Sequence, residues 1–250
     1  MIAWTSYYDA SRTQSDPVGV LLVVGIATTE RKWLRLEREW KADFLKKFQI
    51  PYLHMKEFFV GPQFAHIRKE RRELKCLECA VKIIQRRANL SYTIAVHLPG
   101  FRAVDTTYKL SEAFLGPYAF AAGQCCDQLT KWVRAKHGNP PIANLLEKGD
   151  LGQGQMLQEL NKFSNWHVGT LNKKDPITKE WFVPFQATDL IAWAIRRLYE
   201  QAEAKKPLGP IAHMVHRLLP LKNLYYGQEQ LMNYCLANSH VVPPRIPRWG

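Results

Sequence analysis

The residues able to do chemistry in this sequence are a few acids set into a basic chain. Lys and Arg number 35 against 22 Asp and Glu, yet Asp9, Glu57, Glu147 and Asp189 each fall where a predicted strand ends or a helix begins. Asp9 closes the first strand, in Tyr7-Tyr8-Asp9-Ala10-Ser11. Glu147 closes Asn144-Leu145-Leu146-Glu147, with Asp150 three residues on. Asp189 lies in the first turn of an apolar helix, Phe185-Gln186-Ala187-Thr188-Asp189-Leu190-Ile191-Ala192. Hard divalent cations such as Mg²⁺ or Mn²⁺ take carboxylate oxygens, and phosphate oxygens complete their shell. Two such ions about 4 Å apart activate a water and stabilise the leaving oxygen of a phosphodiester. Acids from separate strands that converge on one sheet edge beneath a basic rim meet that requirement. The expectation is therefore that Asp9, Glu147 and Asp189 reach one shared cation, with Glu57 or Asp150 at its margin. A plainer reading stands beside it: Asp9 starts a turn, Asp189 serves its helix N-terminus, and Glu147 and Asp150 are loop acids. His54 has two readings as well. It orients a water, contacts a phosphate or carries a proton, or else it is a hydrogen-bonded structural residue.

The elements that must position these residues can be read from periodicity. A strand at Trp4–Tyr8 leads through the polar turn Ser11–Pro17 into a second strand, Val18–Thr28, which predicts an antiparallel hairpin. Trp33, Leu36, Trp40, Phe44 and Phe48 recur at spacings of three and four and predict a helix that Pro51 ends. Tyr52–Phe59 reads as a short extended or turn segment. A helix from about Ile67 to Arg87 follows, then a strand at Leu90–Leu98. Pro117 opens a long helix to about Lys136, since proline fits the first helical turn. A strand at Ile142–Leu146, a helix near Gln153 and a strand near Trp166–Leu171 come next. A hairpin-like turn at Lys173–Pro176 leads to Trp181–Val183, and the helix Ala187–Ala204 follows. This order predicts an α/β fold whose mixed sheet, with its opening hairpin, is flanked by helices in a ribonuclease-H-like layout. It places the domain over residues 1–204 and leaves 205–250 as a proline-rich appendix packed on it.

Composition narrows the partners. The formal net charge of +13 governs association more than fold, and it draws in polyanions. Nucleic acid is the expected partner, met by Arg68, Lys69, Arg71, Arg72, Arg86 and Arg87 on one face of the helix Ile67–Arg87. No apolar run approaches the roughly 20 residues that cross a bilayer. The N-terminus shows no secretory signal. Five cysteines, two of them adjacent at Cys125-Cys126, suit a reducing cytoplasm better than a disulfide framework. Cys76-x-x-Cys79 lacks a second pair and falls inside a predicted helix, so it reads as core packing rather than a zinc site. Gly149-Asp150-Leu151-Gly152-Gln153-Gly154 lacks the Lys-Ser/Thr of a P-loop and reads as a loop beside the acids.

Three segments carry a resemblance. Tyr7-Tyr8-Asp9-Ala10-Ser11, Leu53-His54-Met55-Lys56-Glu57-Phe58 and Phe185-Gln186-Ala187-Thr188-Asp189-Leu190-Ile191-Ala192-Trp193 resemble, in order and spacing, the signatures of the family called domain of unknown function 3800. That family is mostly prokaryotic and phage-associated. The resemblance covers about residues 4 to 204. It implies a ribonuclease-H-like fold and metal-dependent nuclease activity, with Asp9, His54, Glu57, Gln186 and Asp189 at the motif positions. Glu147 corresponds only as an acid at the end of the central strand. Ala10 and Arg12 stand where the family usually has Glu and Gly, and Thr188 where it has Ala. Loss of the Glu removes one potential metal ligand. Two readings follow: a Mg²⁺- or Mn²⁺-dependent phosphodiesterase acting on DNA or RNA, or a non-catalytic nucleic-acid-binding or interaction subunit on a degenerate nuclease fold.

Overall fold

The computed structural model describes residues 3–11, 19–148, 154, 157–158, 167–174, 181–207, 209–218, 221–239 and 242. Its centre is set by β2, Val20–Thr29, a ten-residue strand buried along nearly its whole length. Alternate residues of a strand point to opposite faces. Val20, Leu22, Val24 and Ile26 accordingly enter one core, and Leu21, Val23 and Ala27 a second. A strand apolar on both faces needs helices on both, and the molecule supplies them. On the first face lie α1 (Glu30–Glu39), the π-helical turn Trp40–Leu45, α2 (Lys46–Phe48), α3 (Met55–Phe58), α4 (Ala65–Lys69) and α5 (Glu73–Arg87). On the second lie α6 (Leu98–Thr107), α7 (Leu110–Phe114) and α8 (Pro117–His137), whose first turn does begin on Pro117. Helices α9 (Val183–Glu203) and α10 (Pro210–Leu218) join the first face, and α11 (Gln228–Ala237) the second.

Six strands form one sheet in the order β5-β4-β1-β2-β3-β6. β1 (Trp4–Ser11), β2 and β3 (Leu90–His97) run antiparallel to one another, as the opening hairpin predicts. β4 (Ile142–Glu147) pairs parallel with β1, and β5 (His167–Leu171) parallel with β4. The result is the α/β mixed sheet expected from the sequence, consistent with a ribonuclease-H-like arrangement. Gly25 is required where β1 and β2 meet. A Cβ there would stand 2.6 Å from Tyr8 Cε1, whose ring lies across the strand. The Tyr8 hydroxyl then donates to Asn144 Oδ1 at 2.9 Å and ties β1 to β4.

The structure differs from the sequence expectations in several places. The helix expected over Ile67–Arg87 is two helices, broken where Arg71 takes a left-handed φ of 53°. The expected extended segment Tyr52–Phe59 is extended only as far as His54 and then turns into α3. The helix expected from Ala187 starts at Val183, with Pro184 in its first turn. Within the expected strand Trp181–Val183, only Trp181 pairs, in an antiparallel bridge to Lys174. The expected helix near Gln153 and the loop acid Asp150 fall at or beside residues outside the described set. The described part of 205–250 is more than an appendix: β6 (Leu221–Tyr226) extends the sheet beside β3, and Leu231, Cys235 and Val242 are buried in the second core. Proline counting missed this because the prolines punctuate short elements here rather than preventing them.

Candidate functional site

Strand register brings the acids together. Tyr8 of β1 lies opposite Leu146 of β4, so one step further Asp9 and Glu147 are neighbours on adjacent parallel strands. Tyr8 and Leu146 enter the second core. By alternation Asp9 and Glu147 face the other way, towards the layer that holds α9. The Tyr7 ring, on that same face, meets Phe185 of α9 edge-on at 5.6 Å. One turn along α9 from Phe185 comes Asp189. β5 adds a fourth group. Glu147 lies opposite Leu171, and two residues beyond it Lys173 returns to the same face. Asp9, Glu147, Asp189 and Lys173 all line one groove with a volume of about 540 Å³, and His54 lines it too.

The charges inside are close-set. Lys173 Nζ stands 3.1 Å from Glu147 Oε2, with both side chains largely buried. That oxygen is held by charge attraction rather than by a directed hydrogen bond. Burial works against the Lys173 ammonium, but the carboxylates of Asp9, Asp189 and Glu147 outweigh it and raise its pKa above the ordinary lysine value. Asp9 is only 6% exposed. Asp189 Oδ2 accepts the backbone N–H of Met55 at 2.7 Å, so this acid serves the segment after Leu53 and not only its own helix.

His54 sits between two such clamps. Gln186, fully buried, accepts from the Leu53 N–H at 2.7 Å and from Trp40 Nε1 at 3.0 Å, and donates to the Trp181 carbonyl at 3.1 Å. The His54 ring lies 5.2 Å from the Trp181 ring. Its Nδ1 stands 3.2 Å from Glu57 Oε1. When that nitrogen carries the proton and donates it, Nε2 is an acceptor. Glu57 does not line the groove. Its carboxylate accepts from the Tyr52 hydroxyl and from Gln63 Nε2. The Tyr52 hydrogen bond holds its pKa below the ordinary glutamate value, burial opposes, and His54 adds to the lowering. Glu57 therefore acts on His54 and stands behind the three groove acids.

The expected basic face comes apart. Arg68 donates to the Phe58 and Gly61 carbonyls and staples the segment beside the groove. Arg72 pairs with Glu70 and lies over the Phe48 ring. Lys69 and Arg71 are exposed. Arg86 and Arg87 both pair with Glu39, and the rise of α5 sets them about 22 Å along the helix from Arg72. The six residues thus form two groups, because the helix that was to align them breaks and four of the six have internal partners. Sequence reasoning missed the cations and rings that do border the acids. Lys56, Arg196 and Arg197 line the groove, as do Phe59 and Trp193. The two rings stack at 5.1 Å, with the Arg197 guanidinium 5.4 Å from the Trp193 centroid. The available signal was helical spacing: Trp193 and Arg197 lie four and eight residues past Asp189, on its own face.

The donor set suits a hard divalent cation: three carboxylates on one groove, with a Glu147 oxygen that takes no directed hydrogen bond. Among the described residues, however, no three His, Cys, Asp or Glu side chains are already gathered as a metal site. Lys173 stands among them instead. Both thiols of the Cys76-x-x-Cys79 pair are free, Cys76 buried in the core and Cys79 near the Asp43 carbonyl. Among the described residues no helix is long and apolar enough to cross a membrane. No protein-family model and no curated protein matches the chain.

Proposed function

We propose that this protein is a Mg²⁺- or Mn²⁺-dependent phosphodiesterase acting on DNA or RNA. The observation that carries the reading is the arrival of Asp9, Glu147 and Asp189 on one groove from three distant segments of the chain. Three acids gathered at a strand edge in a protein of net charge +13 need a compensating cation. A divalent ion there would be held by Asp9, Glu147 and Asp189, and it would supply an activated water and charge neutralisation at the phosphate. The chain's own groups fit the rest of the task. Lys56, Arg196 and Arg197 attract the phosphate backbone. Trp193 and Phe59 offer rings on which a base can stack. His54, oriented by Glu57, is placed to take or give a proton at the substrate. The likeness of three segments to a suspected nuclease family points the same way, and five free cysteines agree with action in the cytoplasm.

The second reading, a binding subunit without catalysis, is favoured by one specific observation: Lys173 already supplies a positive charge among the acids. Ala10, where a further carboxylate would stand, also favours it. One experiment separates the two. Labelled single- and double-stranded DNA and RNA are incubated with the full chain in Mg²⁺, in Mn²⁺ and in excess chelator, beside Asp9→Asn. Cleavage that needs the metal and falls at least about 100-fold in Asp9→Asn supports the enzyme. Binding without metal-dependent cleavage of any of the four substrates refutes it and leaves the binding subunit.

A further inference from the structure

We propose that Lys173 is a built-in second cation, so that the groove takes one divalent ion per chain rather than two. The inference rests on the phosphodiesterase reading and specifies its metal site. Position carries it first. The order β5-β4-β1 sets Lys173, Glu147 and Asp9 in a row on one face of the sheet, and α9 brings Asp189 over them.

Lys173 is also anchored. Its carbonyl accepts the Phe182 N–H at 3.0 Å, and the next residue bridges to Trp181. Its ammonium lies 3.1 Å from Glu147 Oε2 and 5.7 Å from the Trp181 ring centroid. A long, flexible side chain held at its backbone, at a carboxylate and over a ring acts as a fixed charge rather than as a solvated arm.

Formal charge completes the argument. Three carboxylates and one ammonium leave two negative charges, which a single divalent ion balances, whereas two ions would leave the buried cluster with net positive charge. Phosphodiester cleavage asks for two positive centres, one that activates water and one that neutralises a phosphate or leaving oxygen. An ammonium has no bound water to ionise, but it neutralises oxygen charge and donates hydrogen bonds. The two duties therefore divide between one metal ion and Lys173.

The test is a Mn²⁺ titration of the metal-free full chain, read by calorimetry and by the electron paramagnetic resonance of free Mn²⁺, with no substrate present. Wild type is expected to bind one ion per chain, and Lys173→Arg, which keeps the charge, also one. Lys173→Met is expected to bind a second ion or to hold the first at least about tenfold more tightly, because a like charge has been removed from beside it. A melting curve of each variant identifies any that fails to fold. If Lys173→Met fails, the wild-type count decides, one ion supporting the inference and two overturning it. Two ions on the wild type, or a Lys173→Met protein that folds and titrates like wild type, overturn the inference and leave the phosphodiesterase reading standing. No Mn²⁺ bound by any of the three proteins overturns both.

Discussion

Replacing Gln186 with leucine tests whether the groove is built from behind by a buried amide. The substitution nearly conserves volume, so it opens no large cavity and isolates the polar effect. It removes the acceptor for two donors that are themselves fully buried, Trp40 Nε1 and the Leu53 N–H, and deprives the Trp181 carbonyl of its donor. Each buried donor left unpaired costs about 1–3 kcal/mol. Two of them give about 4 kcal/mol, a large share of the roughly 5–15 kcal/mol that holds a domain folded. With a urea m-value near 3 kcal/mol/M for a chain of this size, the unfolding midpoint should fall by about 1.3 M. Urea denaturation followed by tryptophan fluorescence and by circular dichroism reads the shift. Trp40→Phe supplies the control: it removes one orphaned donor in advance, so the double variant should lose less than the two single losses added together. A midpoint lowered by less than about 0.3 M, or strict additivity in the pair, would refute the assignment of Gln186 as a buried clamp.

Two further predictions follow from the same segment. Asp189→Asn keeps a carbonyl oxygen able to accept the Met55 N–H, so it should retain its melting point while losing metal-dependent cleavage. Asp189→Ala should lose activity and also about 1–3 kcal/mol of stability, which thermal melting checks. Glu57 governs part of the acid limb. Its folded pKa lies below the ordinary value of 4.5, so its contribution is fully present above that pH and is lost as pH falls through the folded value. The melting-point gap between wild type and Glu57→Gln should therefore narrow from pH 6 towards pH 3, and a gap that widens on acidification contradicts the assignment.

How much of this was legible depended on whether the signal was local. β2 announced itself as a ten-residue apolar run, and the hairpin with β1 followed from the short polar turn between them. α8 showed its start through Pro117. The groove acids were legible as acids at element ends, and the sheet order gathers Asp9, Glu147 and Asp189 as that pattern suggested. Lys173 was not legible, because its role depends on β5 lying beside β4, a pairing between residues far apart in sequence. β6 escaped for the same reason. It is half-exposed at the sheet edge, so its sequence lacks the apolar run that marked β2, and its partner β3 lies more than a hundred residues away. The basic helix failed through a break that periodicity does not register: Arg71 adopts the left-handed conformation without being glycine or asparagine.

The two motif segments around His54 and Asp189, separated by more than 120 residues, act as one device. His54 is extended, with φ −138° and ψ 113°, so the N–H groups of Leu53 and Met55 point to the same side of the strand. They are about 6.6 Å apart along it. Gln186 and Asp189 share a face of α9 and are separated by about 4.5 Å of helix rise. The mismatch of about 2 Å is met by side-chain length: the longer glutamine reaches Leu53 and the shorter aspartate reaches Met55, each at 2.7 Å. A pair with the two residue types exchanged would not span both distances. The residue held between the two clamped amides is His54, and its ring then meets Glu57 three residues on and Trp181 across the groove wall. The spacing of Gln186 and Asp189 thus has a mechanical origin. It fixes the backbone on either side of a histidine, so that the ring is placed against the carboxylates without spending any of its own nitrogens on holding the chain.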